Sequence, residues 1–288
     1  MTINRSLPTY KRQRFLLDFV KQLSADATTT DLQKLIFLHT KSGYSSYYDF
    51  IPYRYGPYSF QLAEDISILL QNEFLIKKDA RIYAKDSQVN ENINNIDIKR
   101  GDLLIKKVYK NYPYYAINSE IVDRLFSSTE LEKIKNGKNQ LKQTMQVLFT
   151  IGYEGQSLET FINKLIKNDI RLLCDVRKNP LSRKFGFSKS KLQHILGTIG
   201  IQYVHIPELG IESQKRVNLK SISDYQQLFQ EYETSLSKRQ KYLDYVHLLL
   251  SNNIRIVLLC YEKEPEMCHR HVIRDYIMEK YNIRSQDL

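Results

Sequence analysis

The segment IRIVLLCYEKEPEMCHRHVIRDYIMEKY, residues 254–281, decides the fold of the second half of the chain. It opens with a run of β-branched residues and leucines that ends at Cys260, which is typical of a strand buried on both faces. Pro265 suits the first position of a helix, and apolar residues follow it at roughly helical spacing. The segment therefore predicts a core strand, a short turn and a helix.

Polar and nucleophilic residues surround that turn. Glu262 follows the strand, and Cys268, His269 and Arg270 fall in the first turns of the predicted helix. Free backbone N–H groups and the helix dipole favour an anion or a thiolate at such a position. We therefore predict an active-site corner in which either cysteine is a candidate nucleophile, Cys268 being favoured over Cys260, and His269 transfers protons near neutral pH. The alternative for both cysteines is that of small buried core residues.

Three more apolar runs in this half alternate with helical patterns. They begin at Val147, Arg171 and Ile201, and they predict an α/β domain with a parallel sheet covered on both faces, a Rossmann-like architecture. Ligands of such sheets bind beyond the carboxyl ends of the strands. That rule brings the following residues to one crevice: Tyr153, Glu154, Asp175, Arg177, Glu208, Cys260 and Glu262.

A basic loop follows the second of these strands. Residues 177–191 contain six lysines and arginines and no acid, in a chain whose formal net charge is +11. Arg177 and Arg183 can each bind a phosphate through two nitrogens. The positive field favours a nucleic acid or nucleotide partner, although a solvated loop or a generally basic proteome would give the same composition.

Four ordered motifs resemble the family of domains of unknown function numbered 488. They are TIGYEGQSLETF, DVRKNPLSRKFGF, GIQYVHIPELG and LLCYEKEPEMCHR. The resemblance implies a Rossmann-like enzyme connected with nucleic-acid or nucleotide processing and with genome defence, and it supplies no reaction. Ile211 departs from the family pattern, which has a glycine there. The family's polar positions fall on Asp175, Arg177, Pro180, Ser182, Arg183, Gly210, Cys260, Glu262, Cys268, His269 and Arg270.

The first half predicts a different architecture. Helical patterns cover residues 9–23, 32–40 and 60–71, with Thr30-Asp31 as the cap of the second. A short hairpin follows at residues 75–86, turning at Asp79-Ala80. Three helices and a two-stranded wing outline a winged-helix-like domain.

Residues 32–78 of this half resemble a Panacea-type antitoxin domain through the motifs KLIFLHTKSG, YRYGPYS and NEFLI. The resemblance implies a recognition module for nucleic acid or protein, so a protein partner or a second copy of the chain is an open alternative. A wing that contacts phosphates and a merely solvated wing are both consistent with the pattern. The basic wing residues are Lys77, Lys78, Arg81 and Lys85.

Charge and cysteine content predict the organisation and setting. Residues 129–146 are highly charged, so we predict a recognition domain over 1–128, a linker over 129–146 and a catalytic domain over 147–288. Three cysteines and no recognisable signal peptide predict a reducing, cytoplasmic setting. No run of about 18 apolar residues occurs, so no membrane partner is expected.

Metal binding is an alternative that the spacing does not favour. Neither C-x-x-C nor H-x-x-x-H occurs, and adjacent residues on a helix point in different directions, so we predict no metal ligand and name no cofactor. The soft candidates are Cys260, Cys268, His269 and His271. An oxygen-rich set for Mg²⁺ consists of Asp175, Glu208 and Glu262.

The leading hypothesis is an enzyme that hydrolyses a phosphodiester or N-glycosidic bond, or modifies a base, in a nucleic acid or nucleotide. The predicted catalytic residues are Asp175, Glu262, Cys268 and His269. The predicted substrate- and phosphate-binding residues are Tyr153, Glu154, Arg177, Arg183, Arg270 and Cys260. The alternative is a non-catalytic nucleotide sensor or DNA-binding regulator with an antitoxin-like first domain.

Overall fold

The chain folds into two compact units, Met1–Gln140 and Leu141–Leu288. The structure is a computed structural model, and it describes residues 7–44, 47–85, 93, 96–217, 219 and 221–288. The division falls inside the segment that we predicted as a linker, most of which is helical. In the described part of the chain, no helix has both the length and the apolar character that crossing a membrane requires.

The N-terminal unit is mainly helical. Its elements, in chain order, are α1 (Lys11–Lys21), β1 (Ala27–Thr28), α2 (Thr29–Lys41), β2 (Ile51–Tyr53), β3 (Gly56–Tyr58), α3 (Phe60–Gln71), β4 (Leu75–Lys78), β5 (Arg81–Ala84), α4 (Gly101–Asn111), α5 (Val122–Leu125) and α6 (Ser128–Leu141). The helices α1 to α4 share one apolar core with β4 and β5. The predicted cap at Thr30-Asp31 is wrong, because α2 begins at Thr29 and Thr28 forms a capping box with Asp31.

The predicted hairpin at the end of this region is confirmed. β4 pairs antiparallel with β5, and β5 pairs with β1. Asp79 and Ala80 connect β4 to β5 with φ angles of 46° and 66°, and two positive φ angles in succession suit a two-residue hairpin turn. The hairpin therefore follows three helices in the order that the sequence predicts.

Two of the four basic wing residues pair with acids. Arg81 lies 2.7 Å from Asp26, and Lys85 lies 3.0 Å from Glu73. Lys77 and Lys78 are exposed on β4. These two lysines are therefore the wing residues most available to an anionic partner.

Lys34 is a buried amine in the core of this unit. Its side chain is 1% exposed, and Nζ donates to the Pro57 carbonyl at 3.2 Å. Burial lowers the pKa of Lys34 to about 7, with Asp31 opposing the shift. Lys34 also lines a cavity of about 380 Å³ together with Tyr53, Tyr55 and Tyr58.

We expect the stability of the protein relative to Lys34→Met to rise with pH above 7. The folded chain releases the Lys34 proton near pH 7, whereas the unfolded chain holds it up to about 10.5. The unfolded state thus binds more protons in this window, and stability rises by about 1.4 kcal/mol per pH unit. Urea unfolding of both proteins at pH 7, 8 and 9 measures the difference. A difference that does not change with pH would contradict the lowered pKa.

The C-terminal unit alternates strands and helices, as predicted. Its elements are β6 (Val147–Gly152), α7 (Leu158–Lys167), β7 (Leu172–Asp175), α8 (Lys189–Thr198), β8 (Gln202–His205), α9 (Ile222–Ser235), α10 (Gln240–Asn253), β9 (Arg255–Cys260), α11 (Arg270–Tyr281) and β10 (Ser285–Asp287). The five strands form a parallel sheet in the order β10–β6–β9–β7–β8. The prediction of an α/β unit with a parallel sheet is confirmed.

The central strands are buried on both faces. Every residue of β6, β7 and β9 is buried. Leu148, Cys174 and Leu258 pack against apolar residues of α9, α10 and α11. Because side chains alternate along a strand, the buried neighbours Leu173 and Val257 belong to the opposite face.

The position of β9 determines what meets at the carboxyl edge of the sheet. β9 lies between β6 and β7, with Cys260 opposite Gly152 and Leu259 opposite Asp175. The last strand in the apolar pattern is therefore central, and the turn that follows it lies beside the ends of two other strands. That turn carries Glu262.

Candidate functional site

The turn after β9 packs tightly against the end of β6. A Cβ atom on Gly152 would lie 1.7 Å from the carbonyl oxygen of Glu262, so only glycine allows this approach. Gly210 has a similar role, since a Cβ there would lie 2.3 Å from the backbone nitrogen of Lys178. Ile211, the departure from the family pattern, is buried in the apolar core.

Cys260, Cys268 and His269 form a buried group that we call the thiol cluster. Their side-chain ligand atoms all lie within 4.8 Å of one another. Nδ1 of His269 is 3.7 Å from the Cys260 sulfur and 3.9 Å from the Cys268 sulfur. All three residues are at most 3% exposed. The end of β9 and the start of α11 thus deliver two thiols and an imidazole to one point.

A backbone carbonyl orients the imidazole of this cluster. Nε2 of His269 lies 3.2 Å from the carbonyl oxygen of Val176. Because a carbonyl can only accept, Nε2 carries the hydrogen, and in the neutral ring Nδ1 presents a lone pair to the two sulfurs. The same contact brings the Asp175–Arg177 and Cys268–Arg270 segments together, as the crevice prediction requires.

Glu262 is the member of the site that reaches solvent. Its Oε2 accepts from the Cys260 thiol at 3.3 Å, and its side chain is 23% exposed. Burial acts to raise the pKa of Glu262, but hydrogen bonds from the Cys268 and Cys260 thiols outweigh it and hold the pKa below its ordinary value. The carboxylate is therefore ionised at neutral pH beside two thiols.

Cys268 does not have the helix-terminal position that we predicted. Pro265–Met267 forms one turn of 3₁₀ helix, Cys268 is extended, and α11 begins only at Arg270. Burial, reinforced by Cys260, raises the pKa of Cys268 well above its ordinary value. A thiolate activated by the helix terminus is therefore not what the structure provides.

Asp175 and Arg177 form a buried ion pair. The guanidinium donates to both carboxylate oxygens, at 2.8 and 2.5 Å, and Arg177 N–H adds a third bond at 3.1 Å. Tyr203 O–H donates to the same carboxylate at 2.6 Å. The remaining Arg177 nitrogen donates to Tyr153 and to the Phe187 carbonyl. These bonds occupy both groups, so we assign them to positioning instead of the predicted catalysis and phosphate binding.

Arg270 is likewise occupied inside the protein. It is 1% exposed and donates to the carbonyls of Glu262 and Lys263, at 2.5 and 2.9 Å, and to the Thr150 hydroxyl at 3.1 Å. Arg270 therefore ties the start of α11 to β6 and to the Glu262 turn. We assign it to holding that turn, in place of the predicted phosphate contact.

Three other predicted residues lie at the same edge with different exposure. Tyr153 is buried and stacks on Phe187, with ring centroids 4.3 Å apart. Glu154 accepts from the backbone N–H of Lys263 at 3.0 Å. Arg183 is exposed in the basic loop. Of the predicted phosphate-binding residues, Arg183 is the one that solvent reaches freely.

The predicted oxygen-rich Mg²⁺ set does not assemble. The Asp175 carboxylate is taken by Arg177, and Glu208 is exposed. Within the residues that the structure describes, the thiol cluster is the one group of three or more His, Cys, Asp or Glu side chains that could hold a metal ion. The sequence argument against soft ligands placed Cys268 on a helix, but Cys268 precedes the helix, so it and His269 can face the same point.

Residues 157–277 match a family model described as "Domain of unknown function DUF488". No curated protein and no solved structure matches the chain. The predicted resemblance of the C-terminal half to DUF488 is thereby confirmed, while the resemblance of the N-terminal half to an antitoxin stays a prediction. The DUF488 segment contains the thiol cluster, Glu262 and the Asp175–Arg177 pair.

The DUF488 segment also brings two arginines to the site that sequence reasoning missed. Arg216 lies 3.8 Å from the Glu262 carboxylate. Arg239 lies over the ring of Tyr232, which itself packs against His269. Within the described residues, Nη1 of Arg239 is buried without a hydrogen-bond partner. Their only sequence signal is a basic pair in each of two short segments, SQKR and LSKR.

Proposed function

We propose that the DUF488 segment is a hydrolase that acts on a nucleotide or nucleic acid, with Glu262 and the thiol cluster as its catalytic centre. One observation carries this proposal: Glu262, whose carboxylate is partly exposed, lies directly against the buried thiol cluster, with Oε2 3.3 Å from the Cys260 sulfur. Perturbed titratable groups at the carboxyl edge of a parallel sheet favour a functional site over a purely structural one.

Glu262 is the residue placed to handle protons. A carboxylate that is ionised and within reach of solvent can accept a proton from water attacking a phosphodiester or N-glycosidic bond, or a base. Arg270 fixes the backbone of Glu262, and Arg216 approaches its side chain. The proposed general base is thus held from both ends.

The basic surroundings support an anionic substrate. Arg183 is exposed on the loop that begins beside Val176, and Arg239 has a guanidinium nitrogen with no partner in the described chain. Arginine binds phosphate through paired donors, and the formal charge of +11 adds a long-range attraction. These groups take the phosphate-binding role that Arg177 and Arg270 do not fill.

We expect Glu262→Gln to reduce turnover by about 10²- to 10⁴-fold, the usual contribution of a general base. The full-length protein is incubated with DNA, RNA and free nucleotides, with and without added divalent metal, and products are separated by chromatography. Glu279→Gln is the matched control, because Glu279 is exposed on α11 and this substitution removes the same charge from the protein. Equal turnover by the two variants, or no product from any substrate, would remove the hydrolase proposal.

A second candidate function is a non-catalytic regulator. The helices α1 to α3 and the β4–β5 hairpin have the order of a winged-helix domain, and Lys77 and Lys78 are exposed on the hairpin. Under this proposal the first unit binds DNA or a partner protein, as an antitoxin-like module in genome defence, and the second senses a nucleotide. Equilibrium binding of the same nucleotides, measured beside turnover, separates the two, since a sensor binds nucleotide before and after Glu262→Gln and converts it in neither case.

We also propose that the C-terminal unit is Rossmann-like. The strands of the C-terminal sheet, numbered along the unit, lie in the order 5-1-4-2-3. The usual dinucleotide-binding order keeps consecutive strands adjacent on each side of the switch point. The strand order therefore differs from the usual one, and the Rossmann-like proposal is supported by the parallel sheet with its candidate site at the carboxyl edge.

A further inference from the structure

We infer that Cys260, Cys268 and His269 form a zinc site. A tetrahedral ion with Zn–S of about 2.3 Å and Zn–N of about 2.0 Å separates its sulfur and nitrogen ligands by about 3.5 Å. The observed separations from Nδ1 to the two sulfurs are 3.7 and 3.9 Å. One ion therefore requires the two nitrogen–sulfur separations to contract by a few tenths of an ångström, and it requires the two sulfurs, which lie within 4.8 Å of each other, to be about 3.8 Å apart.

The imidazole is already arranged as a ligand. Metal-bound histidines usually donate their second ring N–H to a carbonyl or carboxylate, which fixes the tautomer and the ring orientation. Nε2 of His269 makes this bond to Val176 and leaves the lone pair of Nδ1 directed at the sulfurs. The supporting carbonyl belongs to Val176, directly after β7, so the imidazole is oriented by a different strand end from the one that carries Cys260.

Ordinary core packing accounts for the third cysteine but not for these two. Cys174 lies in the apolar core between leucines of the sheet and the helices that cover it. Cys260 and Cys268 instead share one imidazole nitrogen and one carboxylate, in a group of potential ligands that the rest of the described chain does not repeat. Two thiols and an imidazole favour zinc over Mg²⁺ or Ca²⁺, which take oxygen ligands.

Glu262 lies beside the inferred ion. Its Oε2 is 3.3 Å from the Cys260 sulfur, yet Glu262 is not part of the mutually close group. Two cysteines and one histidine with an open fourth position is an arrangement found in catalytic zinc sites, where the metal acts as a Lewis acid. The test of the zinc site does not depend on the proposed substrate, because the metal content of the protein is measured without substrate.

The test is the zinc content of the full-length protein. Wild type is expressed in zinc-supplemented medium, purified under a non-thiol reductant without chelator, and measured by mass spectrometry, with about one zinc per chain expected for a three-residue site. Cys260→Ala, Cys268→Ala and His269→Gln should each fall to the background level. Cys174→Ala, the matched cysteine control, and Glu262→Gln should both retain the wild-type content.

Cobalt provides a second readout that does not depend on yield. Wild type and Cys174→Ala reconstituted with Co²⁺ should show thiolate-to-metal charge-transfer absorption, and Cys260→Ala should not. Circular dichroism of each variant identifies any that fails to fold. If a cysteine variant does not fold, the metal content of His269→Gln, which keeps both thiols, tests the site instead. Wild type that holds no more zinc or cobalt than a Cys260→Ala/Cys268→Ala double variant would overturn the site. Full zinc content without turnover would instead count against the hydrolase alone.

Discussion

Replacing Arg177 with alanine is expected to lower the free energy of unfolding by about 3 to 5 kcal/mol, the usual cost of removing one partner of a buried ion pair. The Asp175 carboxylate is fully buried, and among the described residues it would keep the Tyr203 hydroxyl and one backbone N–H as its donors. Burial and the Asp175 carboxylate raise the pKa of Tyr203, so this hydroxyl stays a donor and cannot replace the lost charge. Urea unfolding followed by circular dichroism at pH 7 measures the loss.

The chain contains a matched control with the same spacing. Asp169 and Arg171 are also two residues apart, but their side chains are 22% and 40% exposed. Arg171→Ala should therefore cost about 1 kcal/mol or less, as exposed pairs do. Adding Asp175→Asn to Arg177→Ala should recover part of the loss, because the unpaired charge disappears. Equal losses for the two arginine variants would mean that burial of the pair contributes nothing.

The sheet could be predicted because its three central strands, β6, β7 and β9, are buried on both faces and rich in apolar residues. Runs such as Ile256–Leu259 have no polar residue and alternate with helical patterns, which leaves few architectures. The order of the strands could not be predicted in the same way. β9 lies at the centre of the sheet because it pairs with β6 and β7, two strands that are distant from it in sequence. β10 was missed because Ser285–Asp287 is polar, and its pairing with β6 depends on the folded unit.

The position of the site could be predicted from the strand ends, but the role of each arginine could not. The sequence does not distinguish three arginines that each lie next to a predicted turn, namely Arg177, Arg183 and Arg270. In the structure Arg183 is exposed, whereas Arg177 and Arg270 are buried against groups supplied by other strands. Whether a guanidinium serves a substrate or the protein depends on those tertiary partners.

The closeness of the two thiols and the imidazole could not be predicted, for a local reason. We placed Cys268 and His269 on a helix, where adjacent side chains diverge by about 100°. The backbone at Cys268 is extended, with φ −141° and ψ 134°, and His269 caps α11. The helix starts after the pair because Pro265 opens a separate 3₁₀ turn, and this shift of a few residues changes which side chains can meet.

Replacing Arg270 with methionine is expected to destabilise the protein by about 3 kcal/mol, because hydrogen bonds from a charged donor contribute about 1.5 to 3 kcal/mol each and do not add fully. Methionine retains an apolar stem but leaves the carbonyls of Glu262 and Lys263 without their donor. The turn that carries Glu262 would lose its anchor, so turnover should fall more than stability alone explains. Urea unfolding and product formation well below the unfolding midpoint measure the two effects.

Arg284→Met is the control for this change, since Arg284 is exposed just after α11 and its removal alters the net charge equally. We expect it to leave both stability and turnover close to wild type. Arg270→Lys should restore little, because a single ammonium group cannot span acceptors on β6 and on the turn as a planar guanidinium does. If Arg270→Lys behaved as wild type, the fork of contacts to Thr150, Glu262 and Lys263 would not be what fixes the site, and any buried cation would suffice.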